Sequence, residues 1–143
     1  MFVCKVCGHI AFGEAPSSCP VCGAPKTAFA LTPDAIKKPA DPNNLTEGDK
    51  KHIPVITVSK SCNLAGPGCV DVTVKIGELL HVMEDKHYII HMDLYHDHKF
   101  IARYHMTPKV NPIITAHLKI EEGIFSVVEF CNVHGRWMSE SKL

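Results

Sequence analysis

The 143-residue sequence has no excess of charge, because 15 lysines and arginines balance 15 aspartates and glutamates. A neutral chain offers no electrostatic reason to bind nucleic acid or an anionic membrane, so we expect neither partner. No apolar run approaches the roughly 20 residues that span a bilayer. The opening residues, MFVCKVCGH, lack the basic-then-apolar order of a secretory signal. We therefore expect a cytoplasmic protein.

Helical periodicity is also missing after residue 46, and we predict no helix there. Residues 70–76 and 114–120 instead alternate apolar and polar side chains, which is typical of half-buried strands. Four further strands are predicted, at His52–Val58, Tyr88–Tyr95, Lys99–Met106 and Ile124–Phe130. About six short strands separated by Gly and Pro turn signals indicate a mostly β protein, an antiparallel sandwich or barrel.

Cysteine and histidine are abundant, with seven and ten residues. An odd cysteine count fits poorly with a fold held by disulfides alone, and a reducing compartment disfavours disulfides. Thiols and imidazoles together are ligands of iron, zinc and copper. The grouping of these residues therefore decides what they do.

Four cysteines form two C-x2-C pairs near the N-terminus: Cys4, Cys7, Cys19 and Cys22. Each pair can wrap a tight turn that points two thiolates at one ion, and the second pair completes a tetrahedron. A glycine follows each pair and lets the backbone turn so that amide N–H groups face sulfur. This spacing predicts a metal site but does not separate iron from zinc.

A second set of candidates begins with Cys131 and His134 in the segment CNVHGRW. Two residues could bind a metal or form a nucleophile and its base, although C-x2-H spacing does not orient a base. His52, His81 and His87 stand out by sequence context, and a nucleophile would leave them unexplained. The other histidines are expected to be surface or hydrogen-bonded residues: His9, His91, His96, His98, His105 and His117.

The N-terminal segment FVCKVCG…CPVCGAPKTAF resembles the rubredoxin-like module of rubrerythrins, including the proline after Cys19 and the aromatic residues at both ends. It does not resemble the usual first domain of desulfoferrodoxins, in which the second cysteine pair is adjacent. The resemblance implies a rubredoxin-like metal-knuckle domain at residues 1–30 and favours iron over zinc at its Cys4 site. Residues 31–46 contain three prolines and read as a linker.

The segments KKHIPVI, GELLHVMEDKHYI and CNVHGRW together resemble the iron domain of superoxide reductases, the neelaredoxin and desulfoferrodoxin family. The likeness runs from about residue 47 to residue 137 and implies an immunoglobulin-like antiparallel β-sandwich at 47–143. It also implies a mononuclear iron with four equatorial imidazoles and one axial thiolate. Carried onto this chain, the ligands are His52, His81, His87, His134 and Cys131.

The function implied is one-electron reduction of superoxide to hydrogen peroxide at an open, five-coordinate iron, in defence against oxidative stress. The Cys4 iron would relay electrons from a donor such as rubredoxin or a flavin-dependent reductase. Family members are usually homodimers or homotetramers. Two alternatives stay open: a peroxide-reducing iron enzyme, and an electron-transfer or metal-binding protein without turnover.

Lys51, directly before His52, matches the family lysine at the open iron face, where its ammonium would attract the anion. The family commonly has glutamate before that lysine, whereas this chain has Lys50. Glu47 is nearby in sequence, but we do not expect it to reach the site. Cys62 and Cys69 lie outside both groups, and we expect ordinary thiols rather than a disulfide.

Overall fold

The computed structural model describes residues 1–62 and 64–143, and within them β-strands predominate. The strands are β1 (Phe2–Cys4), β2 (Ile10–Ala11), β3 (Phe29–Leu31), β4 (Pro54–Ser59), β5 (Val70–Ile76), β6 (Ile89–His96), β7 (Lys99–His105), β8 (Ile113–Leu118), β9 (Ile124–Cys131) and β10 (Gly135–Lys142). A short α-helix, α1, is Glu47–His52, and a 3₁₀ turn is Lys26–Ala28. Nowhere in these two ranges is there a helix with the length and hydropathy to cross a membrane.

The N-terminal region is a small antiparallel sheet in the order β2-β1-β3, with two cysteine-bearing loops attached. The loops have the same backbone hydrogen bond. Gly8 N–H donates to the Cys4 carbonyl at 2.8 Å, and Gly23 N–H donates to the Cys19 carbonyl at 2.9 Å. Both glycines have left-handed φ values, +74° and +75°, which a side chain would disfavour. Each C-x2-C pair therefore forms a tight knuckle, as the spacing predicts.

Two antiparallel sheets pack face to face in the larger region. One has the strand order β10-β9-β6-β7, and the other has the order β4-β5-β8. Every second side chain of β5 is buried, from Val70 to Ile76, and joins one apolar core with side chains of β6 and β9. Burial of this alternating stripe is the main driving force for closing the sheets. The predicted immunoglobulin-like sandwich after a metal knuckle is confirmed.

The six predicted strands of the sandwich are present, with ends shifted by up to two residues. A further strand, β10, was not predicted from the sequence. It pairs with β9 along its whole length, from Gly135 opposite Cys131 to Lys142 opposite Ile124. The segment GRWMSESK has no clear alternation because β10 lies at an edge of its sheet, where few of its side chains are buried.

The prediction that no helix follows residue 46 is wrong, because α1 lies at Glu47–His52. Thr46 caps it: the Thr46 hydroxyl accepts from the Asp49 N–H at 3.1 Å, and the Asp49 carboxylate accepts from the Thr46 N–H at 2.8 Å. This reciprocal pair satisfies two N-terminal amides that a short helix would otherwise expose. His52 consequently ends a helix instead of beginning a strand.

A buried polar network joins the knuckle region to the sandwich. Arg103 forms a two-pronged ion pair with Asp93, at 2.5 Å and 2.7 Å, and its Nη1 donates to the Cys7 carbonyl at 2.7 Å. The Tyr95 hydroxyl donates to the Ile10 carbonyl at 2.9 Å. Because an uncompensated buried charge is costly, this network stabilises one relative placement of the two regions.

Candidate metal centres

Four imidazoles form a closed ring of neighbours with nearly equal sides. Adjacent ring centroids are 4.6–4.8 Å apart, and adjacent planes are inclined by 69–82°. The diagonal from His52 to His87 is 6.3 Å, close to the diagonal of a square with these sides. The other corners are His81 and His134. The Cys131 sulfur lies 3.7 Å from His134 Nδ1, and one donor atom from each of the five residues falls within 4.8 Å of every other.

Hydrogen bonds at the far side of two rings determine which nitrogen faces the centre. Nδ1 of His52 donates to the Gly48 carbonyl, and Nδ1 of His81 donates to the Val82 carbonyl, both at 2.6 Å. Nε2 of each ring therefore carries a lone pair toward the centre. His52 Nε2 lies 3.0 Å from His134 Nδ1, and His81 Nε2 is buried without a hydrogen-bond partner in the described structure. Converging lone pairs repel one another, so this donor set fits a cation.

Burial sets the protonation states of this group. Desolvation lowers the pKa of His52, His81 and His134, in the case of His81 to about 4, so these rings are neutral at neutral pH. Neutral imidazole is the form that ligates metal. Desolvation also raises the pKa of the Cys131 thiol, which is fully buried. A metal ion in this centre would stabilise the thiolate against that penalty.

The end of β5 is joined tightly to the end of α1, which fixes His52 and His81. Gly77, directly after β5, has φ +85°, and a Cβ there would lie 2.2–2.9 Å from three backbone oxygens, two of them in α1. Only glycine permits this approach. His81 N–H then donates to the Ile76 carbonyl at 3.0 Å. Trp137 of β10 covers the His52 ring, with centroids 5.3 Å apart and planes inclined by 23°.

Asn132 positions His87 against the turn that carries Cys131 and His134. Its side-chain oxygen accepts from the Tyr88 N–H at 2.9 Å, and its side-chain nitrogen donates to the Lys86 carbonyl at 3.1 Å. His87 lies between these two contacts, and its Nε2 is 3.1 Å from His134 Nδ1. Asn132 was not identified from the sequence. Its position inside CNVHGRW was the available signal, because asparagine in a turn often bonds to nearby backbone.

A cleft of about 420 Å³ opens beside three of the imidazoles, those of His52, His87 and His134. Lys51 lines this cleft and pairs with Glu47 at 2.5 Å, one helical turn away. Glu47 also lines the cleft, and its carboxylate pairs there with Lys51. The helix was not foreseen, and its i to i+4 spacing places both side chains on one face. Lys50, by contrast, is not among the residues lining the cleft.

A second lysine, Lys37, lines the same cleft and was not identified from the sequence. It comes from the segment predicted to be a linker, where its N–H donates to the Arg136 carbonyl at 2.8 Å and Ile36 forms a parallel bridge with Arg136. Its charge adds to desolvation in lowering the pKa of His52 and His134, and it offsets part of the rise that desolvation causes in the pKa of the Cys131 thiol. No short motif marks such a residue, because only tertiary packing brings it to the site.

The four N-terminal cysteines also come together, with sulfur–sulfur distances of 3.8 Å for Cys4–Cys22 and 3.6 Å for Cys7–Cys19. Desolvation raises the pKa of the Cys7 thiol to about 12 and raises that of Cys19, whereas a backbone N–H from Ala24 lowers that of Cys22. Sulfur atoms at these separations match the edges of a tetrahedron with metal–sulfur bonds of about 2.3 Å. Nine candidate ligands thus form the two groups that the sequence indicates.

Family models and known proteins bear on both regions. The desulfoferrodoxin model matches residues 44–140, and the rubredoxin-like domain model of rubrerythrin matches residues 2–30. The desulfoferrodoxin of Syntrophotalea carbinolica is 28% identical over 144 residues, covering 98% of this chain and 94% of that protein. The desulfoferrodoxin of Desulfarculus baarsii is 32% identical over 99 residues, 69% of each chain.

Among solved structures, the superoxide reductase from Nanoarchaeum equitans is similar to this chain, with a TM-score of 0.56 and 26% identity. The match covers 68% of this chain and 97% of that one. Fold and donor sets thus define a β-sandwich metalloprotein class with an added cysteine knuckle. The chain belongs to the desulfoferrodoxin family. Its first region is of the rubrerythrin type, as the sequence resemblance indicated.

Proposed function

We propose that this oxidoreductase reduces superoxide by one electron to hydrogen peroxide at the centre formed by His52, His81, His87, His134 and Cys131. The convergence of four imidazoles and one thiolate beside an open, lysine-lined cleft carries the proposal. Each superoxide takes up one electron and two protons to give hydrogen peroxide. The superoxide reductase of Nanoarchaeum equitans, which this chain resembles in fold, supports the assignment.

The donor set fits mononuclear iron. Imidazole suits iron, and an axial thiolate increases electron density on iron in other proteins. A ferrous ion held by these five residues would supply the electron for the reaction. Four neutral imidazoles and one thiolate leave ferrous iron with a net charge of +1, and that charge favours an anionic substrate. The open cleft supports an enzyme over a carrier whose centre is closed by protein.

Lys51 and Lys37 would attract superoxide into the cleft and hold it there. Two ammonium groups at one mouth raise the local concentration of an anion and its rate of arrival. Lys51 Nζ, held on α1 by its pair with Glu47, would orient the water that delivers the protons. The Glu47 carboxylate competes with the substrate for Lys51, so arrival of the anion would loosen this exposed pair.

The cysteine knuckle, with iron bound by its four thiolates, would be the first centre. It would relay electrons within one chain to the second centre, which is the site formed by the four histidines and Cys131. A Cβ on Gly8, next to Cys7, would lie only 2.7 Å from Arg136 Nη2, so the Arg136 side chain packs against the backbone of the knuckle here. The Arg136 guanidinium lies over the Phe130 ring, 4.3 Å from its centroid. Phe130 directly precedes Cys131. Contacts therefore run without a gap from the first centre to the Cys131 thiol. Rubredoxin or a flavin-dependent reductase would supply electrons to the knuckle.

Pulse radiolysis of the reduced, iron-loaded protein tests the function directly. Superoxide should oxidise the second centre at a rate near the diffusion limit, with peroxide formed and no oxygen released. The knuckle should then be oxidised as it re-reduces that centre. Oxygen release would indicate dismutation, and slow oxidation of a fully loaded second centre would contradict the proposal. Oxidation by added peroxide in place of superoxide would identify a peroxide-reducing enzyme.

A further inference from the structure

A third group of metal-ligand residues lies outside both centres. Donor atoms of Cys62, Cys69, Asp71 and His117 all fall within 4.8 Å of one another. Both cysteines are free thiols, as expected, but they lie beside a histidine and a carboxylate. Both thiols are buried, each with 8% of its residue surface exposed, and they flank a histidine–carboxylate pair with a His117 Nδ1 to Asp71 Oδ1 distance of 2.6 Å.

Sheet register and a glycine turn bring these residues together. Asp71 on β5 lies directly opposite His117 on β8, and both side chains point away from the apolar core because their neighbours Val72 and Ala116 are buried. The connection from β4 to β5 supplies the cysteines. Within it the backbone turns back at Gly66 and Gly68, whose φ values are +85° and +79°. That turn lays both thiols over the outer face of the sheet.

The spacing of the donors is close to that of a four-coordinate zinc site. The Cys62 sulfur lies 3.4 Å from His117 Nδ1, and the Cys69 sulfur lies 3.9 Å from Nδ1 and 3.8 Å from Asp71 Oδ1. A tetrahedron with zinc–sulfur bonds of about 2.3 Å and zinc–nitrogen bonds of about 2.0 Å has edges of roughly 3.5 Å. The His117–Asp71 distance is shorter because the two atoms are close enough for a direct hydrogen bond, and a metal would replace the proton of that bond.

We propose that Cys62, Cys69, Asp71 and His117 form a third metal site, which binds Zn²⁺. Zinc accepts sulfur, nitrogen and oxygen donors together in a closed tetrahedron, and two thiolates, one imidazole and one carboxylate complete that shell. Four protein donors leave no position open for a substrate, so the site is structural. It fastens the β4–β5 connection onto β5 and β8.

The third site lies far from the proposed iron centre along the same sheet. Asp71 is near the start of β5, whereas the end of β5 at Ile76 leads into Gly77 and His81. Five residues of strand separate these ends by roughly 17 Å. Zinc bound here would therefore leave the iron centre's ligands unchanged, and the two sites can be tested independently.

Metal content of the full chain tests the proposal. The protein is purified under reducing conditions, exposed to Zn²⁺, desalted and assayed for zinc and iron per chain. The native protein should hold one more zinc per chain than Cys69→Ser or His117→Gln, with iron unchanged. His98→Gln is the matched control, because His98 also pairs with a carboxylate, Glu140 at 2.9 Å, but no thiol joins that pair in the described structure. It should keep the full zinc content.

Alkylation of the native protein provides a second measurement that needs no variant. Bound zinc should slow iodoacetamide labelling of Cys62 and Cys69 at least tenfold, as mapped by mass spectrometry, and a chelator should restore it. Equal zinc in the native protein and both ligand variants would overturn the proposal. Equal labelling with and without zinc, iron in place of zinc at these residues, or a Cys62–Cys69 disulfide under reducing conditions would also overturn it.

Discussion

The knuckle takes its donor atoms from one short stretch of the chain, whereas the second centre, formed by four histidines and Cys131, takes them from distant segments. The four knuckle cysteines lie between residues 4 and 22, on two loops with the same local hydrogen bond. The five donors of the second centre come from residues 52 to 134, on a helix end, a long connection and a turn between two strands. One site is encoded by local spacing, and the other exists only when the sandwich is closed.

The difference explains why the supporting contacts also differ. The knuckle needs two left-handed glycines and little else, because each loop already points its thiols inward. The second centre depends on contacts between distant segments, such as Gly77 against α1 and Asn132 across to Tyr88. Damage to those contacts should therefore affect the second centre selectively.

Cys131→Ser should have the largest effect. Loss of the buried thiolate should abolish the visible thiolate-to-iron band of the second centre, because serine is a poor ligand and donates little charge. Absorption spectra of the iron-loaded protein measure this, and the knuckle's bands should remain. Cys22→Ser is the reciprocal control and should remove only the knuckle's bands. Survival of the second band in Cys131→Ser would refute Cys131 as the axial ligand.

Asn132→Ala should loosen His87 and leave the knuckle intact. Removing a group that orients a ligand typically costs about 10- to 100-fold in metal affinity. Competition with a chelator measures iron affinity at each centre. Asn43→Ala is the control, since Asn43 lies outside both donor sets. Among residues 1–62 and 64–143, only its backbone N–H is hydrogen-bonded, to the Asp41 carboxylate. Equal iron affinity at the second centre in both variants would show that Asn132 does not position His87.

His91 lies where the knuckle region contacts the sandwich, because it lines a crevice with Cys7, Arg103 and Arg136. A substitution of His91 therefore tests this contact. Burial lowers its pKa to about 3; of the charges facing it, Asp93 raises the pKa whereas Arg103, Arg136 and His105 lower it. Between pH 6.5 and pH 3 the unfolded chain binds more protons, so stability falls as pH falls through this window.

Protonation of His91 in the unfolded chain should lower the free energy of unfolding by about 2 kcal/mol between pH 7 and pH 5. His91→Phe should remove this part of the acid dependence, and urea unfolding at the two pH values measures it. His98→Gln, at an exposed histidine, should keep the native dependence. The same slope in the native protein and His91→Phe would mean that His91 is already protonated in the folded chain.

Lys37→Ala and Lys51→Ala should have the smallest effects. Together they compare Lys51, which is held on α1, with Lys37, which comes from the predicted linker. Each loss should slow oxidation by superoxide about tenfold and weaken its salt dependence, because attraction of the anion is electrostatic. The iron spectra should not change. Lys75→Ala, whose ammonium contacts the Glu78 carbonyl away from the cleft, is the control. A native rate in Lys37→Ala would assign the attraction to Lys51 alone.

Local patterns predicted much of this molecule. The alternation at 70–76 fixed β5 to the residue, and the two C-x2-C pairs located the knuckle. The candidate ligand histidines could be identified only by resemblance, since nothing in the spacing of His52, His81 and His87 from residue 134 indicates one ion. The short helix was missed although Thr46 and Asp49 form a capping pair, because six residues carry little periodicity.

Features created by pairing between distant strands could not be predicted. Asp71 and His117 face each other only because β5 and β8 pair in one particular register, and a shift of one residue would turn them to opposite faces. Lys37 reaches the cleft because Ile36 bridges to β10, a strand that was itself not predicted. Each depends on a pairing between distant segments that the sequence does not specify locally.

The donors of the second centre are spread widely along the chain, so the two metal sites are completed one after the other during synthesis. During synthesis the knuckle has all its thiols once residue 22 has emerged from the ribosome, whereas the second centre must wait for residue 134. At ordinary elongation rates that delay is on the order of ten seconds. A scarce supply of iron would therefore reach the knuckle first, and newly made chains would load the proposed electron relay before the proposed site of superoxide reduction.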